Sequence, residues 1–466
     1  RVRAIAVDAQ RVPGGDAGDV WRQAREQGLA IESESAWEDV FAGTPPIVVD
    51  GLFGIGLQRP LDERRAALCA RLSERGWPVV AVDVPSGIDA DTGARLGTHA
   101  VRALVTVTMI ADKPGLRTGA ALDHAGEVRV ADLGIDPAQR HAVLDGTAPL
   151  DVGRRYGRAE AQADALPARA ADTSKGSFGS VLCYGGAPGM RGAVLLAARG
   201  AQAGGVGRIH VGSPAGDVFD PAQPQWMSAA ADTGFERFDA VAIGCGLGDS
   251  DAARAAVRRA IVEARALVVD ADALNAIARD ANLFELLARR AAGTDGALNP
   301  DPPRGAAQRP EPSRAPMPPP RAPGRCIVTP HPLEAARLLG SDVARVQSER
   351  IAAACALAAK LRCVALLKGA GSVVATPDGR WSIVGSGSPA LASAGTGDVL
   401  AGLCAALLAR GLDAERAACL GAWLHGEAGE AWARAHGTTD GLSAAELHRW
   451  IGDAARASRR RTEELP

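Results

Sequence analysis

The stretch Ala394-Gly395-Thr396-Gly397-Asp398-Val399-Leu400-Ala401-Gly402 sets two glycines and an acid just ahead of an apolar run. That run, Val399, Leu400, Leu403, Cys404, Leu407 and Leu408, has the spacing of a helix. Glycines let a backbone approach a phosphate closely. The free N–H groups and dipole of a helix start then stabilise developing negative charge. An acid at that place can take a proton from a hydroxyl. A glycine-rich loop alone is usually an ordinary turn or cap; the carboxylate of Asp398 is what points to chemistry here.

Two further segments follow apolar runs that read as buried strands. Leu366-Leu367-Lys368-Gly369-Ala370-Gly371-Ser372 joins a lysine to a pliable backbone, which suits the phosphates or ribose of a nucleotide. A hairpin turn with a solvated lysine is the plainer alternative. In Val328-Thr329-Pro330-His331-Pro332-Leu333-Glu334 a histidine is fixed between two prolines at a strand's carboxyl end, where α/β proteins bind ligands. Earlier in the chain, Asp50-Gly51-Leu52-Phe53-Gly54-Ile55-Gly56-Leu57-Gln58-Arg59-Pro60 and Asp83-Val84-Pro85-Ser86-Gly87-Ile88-Asp89 each put an Asp at such an end. Both suit ligand or ion binding, and both are also compatible with strand-capping turns.

The elements that must position these residues follow an α/β rhythm. Ile47 to Asp50, Val79 to Asp83 and Ala103 to Val107 read as buried strands, with a helix over Leu61 to Glu74. A second series predicts strands at Ser180–Tyr184, Arg208–Val211, Ala240–Ile243, Ala266–Asp270, Cys326–Thr329 and Val364–Lys368. Between the two, residues 151–171 are polar and read as a strandless linker. This predicts a first domain over 1–150 and a second over 172–466. Residues 293–325, dense in Pro and Arg, cannot bury enough apolar surface to order themselves and read as a disordered insertion.

Composition narrows the partners. The net charge of -2 and the lack of a basic stripe argue against nucleic acid. The 8 cysteines form no CxxC pair, so neither a disulfide framework nor a zinc site is expected, and a reducing cytoplasm fits. No apolar run is long enough to span a membrane, and the opening Arg1-Val2-Arg3-Ala4-Ile5-Ala6-Val7 reads as a strand, not as a signal peptide.

The C-terminal motifs resemble the ribokinase-like dehydratase domain of the bifunctional NAD(P)H-hydrate repair enzymes. The same order continues upstream in Lys175-Gly176-Ser177-Phe178-Gly179, Gly185-Gly186-Ala187-Pro188-Gly189-Met190-Arg191-Gly192-Ala193, Gly244-Cys245-Gly246-Leu247-Gly248 and Val269-Asp270-Ala271-Asp272-Ala273-Leu274-Asn275. The resemblance implies that Ala193, Gly246, His331 and Asp398 line the hydrated nicotinamide nucleotide. Lys368, Gly369, Ala370, Gly371, Ser372 and Gly397 would hold ADP. In the implied reaction ADP phosphorylates the ring hydroxyl, with Asp398 as base and Mg²⁺ neutralising charge. AMP and phosphate are released, and the S epimer returns to NAD(P)H.

The N-terminal motifs, with Lys113-Pro114-Gly115, resemble the Rossmann-like epimerase half of the same enzymes. That implies K⁺ at Asp50 and Ser86, and contact with the hydrate from Gly54, Ile55, Gly56, Leu57, Gln58, Arg59, Pro60 and Asp83. Asp83 would be the acid/base that interconverts the R and S epimers. The expected architecture is therefore a truncated, three-layer Rossmann-like domain followed by a ribokinase-like α/β domain, in a cytoplasmic homo-oligomer.

Departures from the family pattern are Cys245 where Pro is usual, Leu333 for Gly, Ser372 for Thr, Ser174 for His and Ile55 for Thr. The chain lacks an initiator Met and the family's upstream Gly/Asn-rich phosphate loop. N-terminal truncation and a weak epimerase are expected on that basis. The competing expectation is an ATP-dependent kinase of a vitamin or sugar alcohol on the same fold, since a glycine loop with an Asp serves both reactions. A degenerate binding module is the alternative for the first half.

Overall fold

A computed structural model describes residues 2–7, 12–136, 138–139, 153–291 and 325–459. The chain forms two compact units: Arg1–Leu116 with Ala120–Asp136, and Arg117–Gly119 with Pro137–Pro466. The Pro-rich stretch lies outside the described residues, save Arg325 at its end.

In the first unit, β1 (Ala4–Ala6) and β2 (Ile31–Ser33) form a parallel pair. A second, fully parallel sheet runs in chain order through β3 (Val48–Asp50), β4 (Val79–Val82), β5 (Val105–Met109) and β6 (Glu127–Ala131). The helix Glu63–Arg75 connects β3 to β4. The Asp62 side chain accepts from the Arg65 N–H at its start, and left-handed Gly76 ends it. Its Leu68, Cys69 and Leu72 bury against Phe41, Trp77 and Val79. Pro13-Gly14-Gly15-Asp16, which reads in the sequence as a turn after the first strand and not as a replacement for the family's phosphate loop, leads into a helix, Gly15–Glu26. The acid in its first turn suits that end.

The second unit is built on a ten-stranded sheet. Its strands are β7 (Arg154–Tyr156), β8 (Ser180–Tyr184), β9 (Arg208–Gly212), β10 (Met227–Ala229), β11 (Ala240–Ile243), β12 (Leu267–Val269), β13 (Cys326–Val328), β14 (Val364–Leu367), β15 (Val373–Ala375) and β16 (Trp381–Val384). The spatial order is β10-β9-β8-β11-β12-β13-β14-β15-β16-β7. The run β8-β11-β12-β13-β14 is parallel, and every residue in these five strands is buried. Helices cover both faces, so each strand reads as an unbroken apolar run with no alternation.

The structure departs from one expectation. Residues 151–171 are not a strandless linker: β7 pairs in parallel with β16, and Arg158–Asp164 is helical. An edge strand has one partner, and in β7 only Tyr156 is buried, so no apolar run announces it. The antiparallel hairpin β15–β16 was also not anticipated.

The helix Thr396–Ala409 is buried at nearly every position. It crosses the helix Arg191–Ala203 at glycines. A Cβ on Gly200 would lie 1.9 Å from the Val399 carbonyl oxygen, and one on Gly402 would lie 1.7 Å from that of Ala197. This close crossing brings the start of the Thr396–Ala409 helix over the carboxyl ends of the parallel strands.

Candidate active site

Five chain segments leave the parallel run at its carboxyl edge, where open α/β sheets hold ligands. Gly185 follows β8, Gly244 to Gly246 follow β11, Asp270 follows β12, His331 follows β13 and Lys368 follows β14. The packing there demands glycine. A Cβ on Gly244 would lie 1.8 Å from the Asp270 carbonyl oxygen, and Gly244 has φ +121°. At Gly246 (φ +59°) it would lie 2.9 Å from the Ala193 Cβ, which makes these two predicted substrate neighbours adjacent.

Asp398 is the third residue of the helix that Gly395, in the left-handed region, begins. Among the described residues the N–H groups of Gly397 and Asp398 donate to no protein acceptor. Two bare donors and a carboxylate therefore share one helix end. Ligand atoms of Asp398, Asp270 and Cys245 all lie within 4.8 Å of one another. Burial, then the nearby charge of Asp270, pushes the Asp398 carboxyl up to about 6, against the Cys245 thiol and the Lys368 ammonium. A carboxyl held near neutrality is one to and from which proton transfer is most effective.

Lys368 was expected to belong with the nucleotide loop. Its ammonium lies with the acids, with Nζ 2.6 Å from Asp270 Oδ1. Burial would lower its pKa, but Asp270 and Glu334 together raise it, so it stays charged. A Cβ on Gly397 would come within 3.3 Å of Nζ. Lys368 therefore bridges the acid cluster and the glycine loop.

His331 caps the helix Pro332–Leu339. Its Nδ1 accepts from the N–H groups of Leu333 at 3.1 Å and Glu334 at 3.4 Å. Its Nε2 lies 3.2 Å from Glu334 Oε1, while Glu334 Oε2 accepts from the His331 N–H at 2.8 Å. With Nδ1 accepting, the proton sits on Nε2. Burial and the Lys368 charge lower its pKa, which keeps the ring neutral. Burial pushes buried Glu334 up to about 7.

Three participants carried no distinguishing signal. His425 is buried in the helix Ala414–His436, with Nε2 2.9 Å from the Thr396 carbonyl oxygen. Burial holds it neutral, with a pKa down to about 4, so it donates to the glycine loop. Glu334 and Arg350 are likewise charged residues in ordinary helical contexts. Asp270 was legible in principle, because it follows a strand as Asp83 does.

In the first unit, Asp50 and Ser86 do meet. Asp50 accepts from the Ser86 hydroxyl at 2.7 Å and the Ser86 N–H at 2.8 Å. Asp50 is buried, its pKa is raised chiefly by burial, and among the described residues no cation forms an ion pair with it. A buried carboxylate with neighbouring oxygens and no counter-ion fits a monovalent cation. Asp83 has φ +69°, unusual for a non-glycine residue. Its Oδ1 accepts from Lys113 at 2.7 Å, Met109 N–H at 3.1 Å and Thr108 at 3.2 Å. Burial raises its pKa, but Lys113 and these donors outweigh that and hold it below the usual range. Oδ2 faces the 54–60 loop: a Cβ on Gly54 would lie 3.4 Å from it. Of that loop, Ile55 is exposed and Leu57 is buried.

A family model described as NAD(P)H-hydrate dehydratase matches residues 181–292 and 314–452. One described as the YjeF-related protein N-terminus matches residues 1–115. The bifunctional NAD(P)H-hydrate repair enzyme Nnr of Moorella thermoacetica is 34% identical over 428 residues, 88% of this chain and 73% of the relative. The chain belongs to the bifunctional NAD(P)H-hydrate repair enzymes. The Escherichia coli member is 32% identical over 408 residues, 86% of this chain and 70% of its own. A solved structure, the ADP/ATP-dependent NAD(P)H-hydrate dehydratase of Bacillus subtilis co-crystallised with ATP and Mg²⁺, is 29% identical with a TM-score of 0.52. It covers 66% of this chain and 99% of its own. The fold of the second unit is therefore that of this ribokinase-like dehydratase. Both halves match repair-enzyme domains, which disfavours the expectation of a vitamin or sugar-alcohol kinase. The dehydratase match breaks over 293–313, within the stretch expected to be an insertion. Among the described residues no helix is long and apolar enough to cross a membrane.

Proposed function

We propose that the second unit dehydrates the S epimer of NAD(P)HX with ADP as phosphoryl donor, and that the first unit interconverts the R and S epimers. The observation that carries this reading is Asp398, raised toward neutrality by burial and seated on bare helix N–H groups beside Lys368.

Asp398 takes the proton of the hydrate's ring hydroxyl. The freed oxygen pair bonds to the terminal phosphorus of ADP, and the bond from that phosphorus to the bridging oxygen breaks, releasing AMP. The C–O bond to the new phosphate ester then breaks, phosphate departs with the electron pair, and loss of a ring proton restores the double bond. The N–H groups of Gly397 and Asp398 stabilise the anionic phosphoryl group. Lys368 keeps the acids from repelling it. Ala193, Gly246 and His331 border the hydrate, and Gly369, Ala370, Gly371 and Ser372 hold the nucleotide. Mg²⁺ would neutralise phosphate charge; Asp270, whose Oδ2 is not engaged by Lys368, offers the hard oxygen it prefers, unlike the Cys245 thiol.

In the first unit, Asp83 Oδ2 takes the proton that must leave for epimerisation. Lys113 and the Met109 N–H hold the carboxylate ionised for that role. K⁺ would sit against Asp50 and Ser86 and supply fixed positive charge there.

The test is purified protein with (S)-NADHX, Mg²⁺ and either ADP or ATP, following the return of reduced-nicotinamide absorbance. Return with ADP, abolished in Asp398→Ala, is expected. Folded protein that restores no absorbance with either nucleotide would overturn the proposal, and faster turnover with ATP would overturn the choice of ADP.

A further inference from the structure

Arg350 opens the helix Arg350–Leu361 and is only 1% exposed. Among the described residues no carboxylate forms an ion pair with it, and burial lowers its pKa to about 10. Its partners are neutral oxygens. Nη2 donates to the carbonyl oxygens of Lys368 at 3.2 Å, Leu367 at 3.4 Å and Gly371 at 3.5 Å. Nη1 donates to Gln347 Oε1 at 2.6 Å and Nε to Thr118 Oγ1 at 3.0 Å. Thr118 lies in Arg117–Gly119, which groups with this unit, and its hydroxyl reaches the Gly371 carbonyl at 2.8 Å. The Gly119 N–H donates to the Ala370 carbonyl at 3.1 Å. The loop lies so close that a Cβ on Gly369 would fall 2.9 Å from both Nη1 and Nη2.

These bonds turn the carbonyls of Lys368, Ala370 and Gly371 toward the interior. The N–H groups of Gly369, Ala370, Gly371 and Ser372 donate to no protein acceptor among the described residues. A run of such N–H groups makes an anion-binding concavity. A buried cation with no counter-ion is expensive, and an anion on the far side of a thin loop would offset that cost.

We propose that Arg350 is a positioning residue for the nucleotide: by drawing the loop carbonyls inward it aims the N–H groups of Gly369–Ser372 at the nucleotide phosphates and places a positive charge behind them. This rests on the reading of that loop as the nucleotide site. Thr118 supports Arg350 by accepting from its Nε while its own hydroxyl donates to the Gly371 carbonyl.

The experiment measures ADP affinity by calorimetry, with KM for ADP, KM for (S)-NADHX and kcat, in the full chain carrying R350M, R350K, T118V or A370E. R350M should raise Kd and KM for ADP about tenfold or more, with kcat and the hydrate KM changed less than about threefold. R350K should recover part of the loss, and T118V should show a smaller one. A folded R350M with native ADP affinity would overturn the proposal. So would losses in kcat and both KM values that track lowered thermal stability. Should R350M not fold, native ADP affinity in both R350K and T118V overturns it. A370E sets a carboxylate on the exposed rim of the loop and tests the underlying reading. If it leaves ADP affinity native, the loop is not the nucleotide site and both readings fall. If it weakens ADP while R350M does not, only the role of Arg350 falls.

Discussion

At the residue scale, Asp398 combines two properties that oppose each other. Its burial beside Asp270 poises its carboxyl near neutrality, as the proposed base requires, and the same burial penalises its charge in the folded state. With a folded pKa raised to about 6, the native state holds the proton more tightly than the unfolded chain does. Stability from this group is therefore present at low pH and declines as pH rises from the unfolded carboxylate value through about 6. Asp398→Asn should lower kcat about 10²- to 10⁴-fold, as expected for loss of a general base. At pH 8 it should also gain on the order of 2 kcal/mol, read by denaturant unfolding. A variant that loses activity and stability together would argue against this account. The pH profile of the wild-type dehydratase should fall on the acid side near pH 6, as Asp398 takes up its proton. Asp83 differs: its pKa is held down by Lys113 against burial, so Lys113→Met should move the acid limb of the epimerase profile upward. An unmoved limb would remove Lys113 from that role.

At the element scale, the site depends on how closely two helices cross. Gly200 and Gly402 let Arg191–Ala203 and Thr396–Ala409 meet backbone to backbone, and Gly402 is one turn from Asp398. Gly402→Ala should cost about 1–3 kcal/mol or more, because its new methyl meets a carbonyl and not a flexible side chain. It should also lower kcat by displacing the helix start. An exposed glycine such as Gly437, which ends the Ala414–His436 helix with nothing near its Cβ direction, should instead affect stability only through its left-handed backbone. Thermal melts of the two variants, with dehydratase rates, separate crowding from backbone strain. His425 acts at this scale too, since its neutral ring joins the glycine loop to the next helix through the Thr396 carbonyl.

At the scale of the whole molecule, the family match breaks over 293–313 and resumes at 314. The flanks are the helix ending at Ala291 and the strand beginning at Cys326. β13 lies in the middle of the sheet, so the core strands do not depend on the interrupted stretch for a partner. Deletion of residues 293–313 should leave dehydratase kcat and KM within about twofold, because insertions between packed elements cost little beyond loop entropy. A deletion that abolishes activity in soluble protein would show that the stretch contributes to the site.

The parallel core was legible because strands covered on both faces must be continuously apolar, so β8, β11, β12, β13 and β14 stand out in the sequence. The motifs at their carboxyl ends were legible because glycine and a lone acid or lysine at such a place are chemically unusual. Edge and hairpin strands were not: β7 buries one residue of three and leaves no periodic trace. Nor did the sequence disclose that Lys368 pairs with Asp270, or that Arg350, His425 and Glu334 support the site from helices. A side chain's type and spacing state what it could do. Which way it points, what buries it and which charge it meets are decided by contacts between residues far apart in the chain. Those contacts exist only once the sheet has gathered five strand ends at one edge.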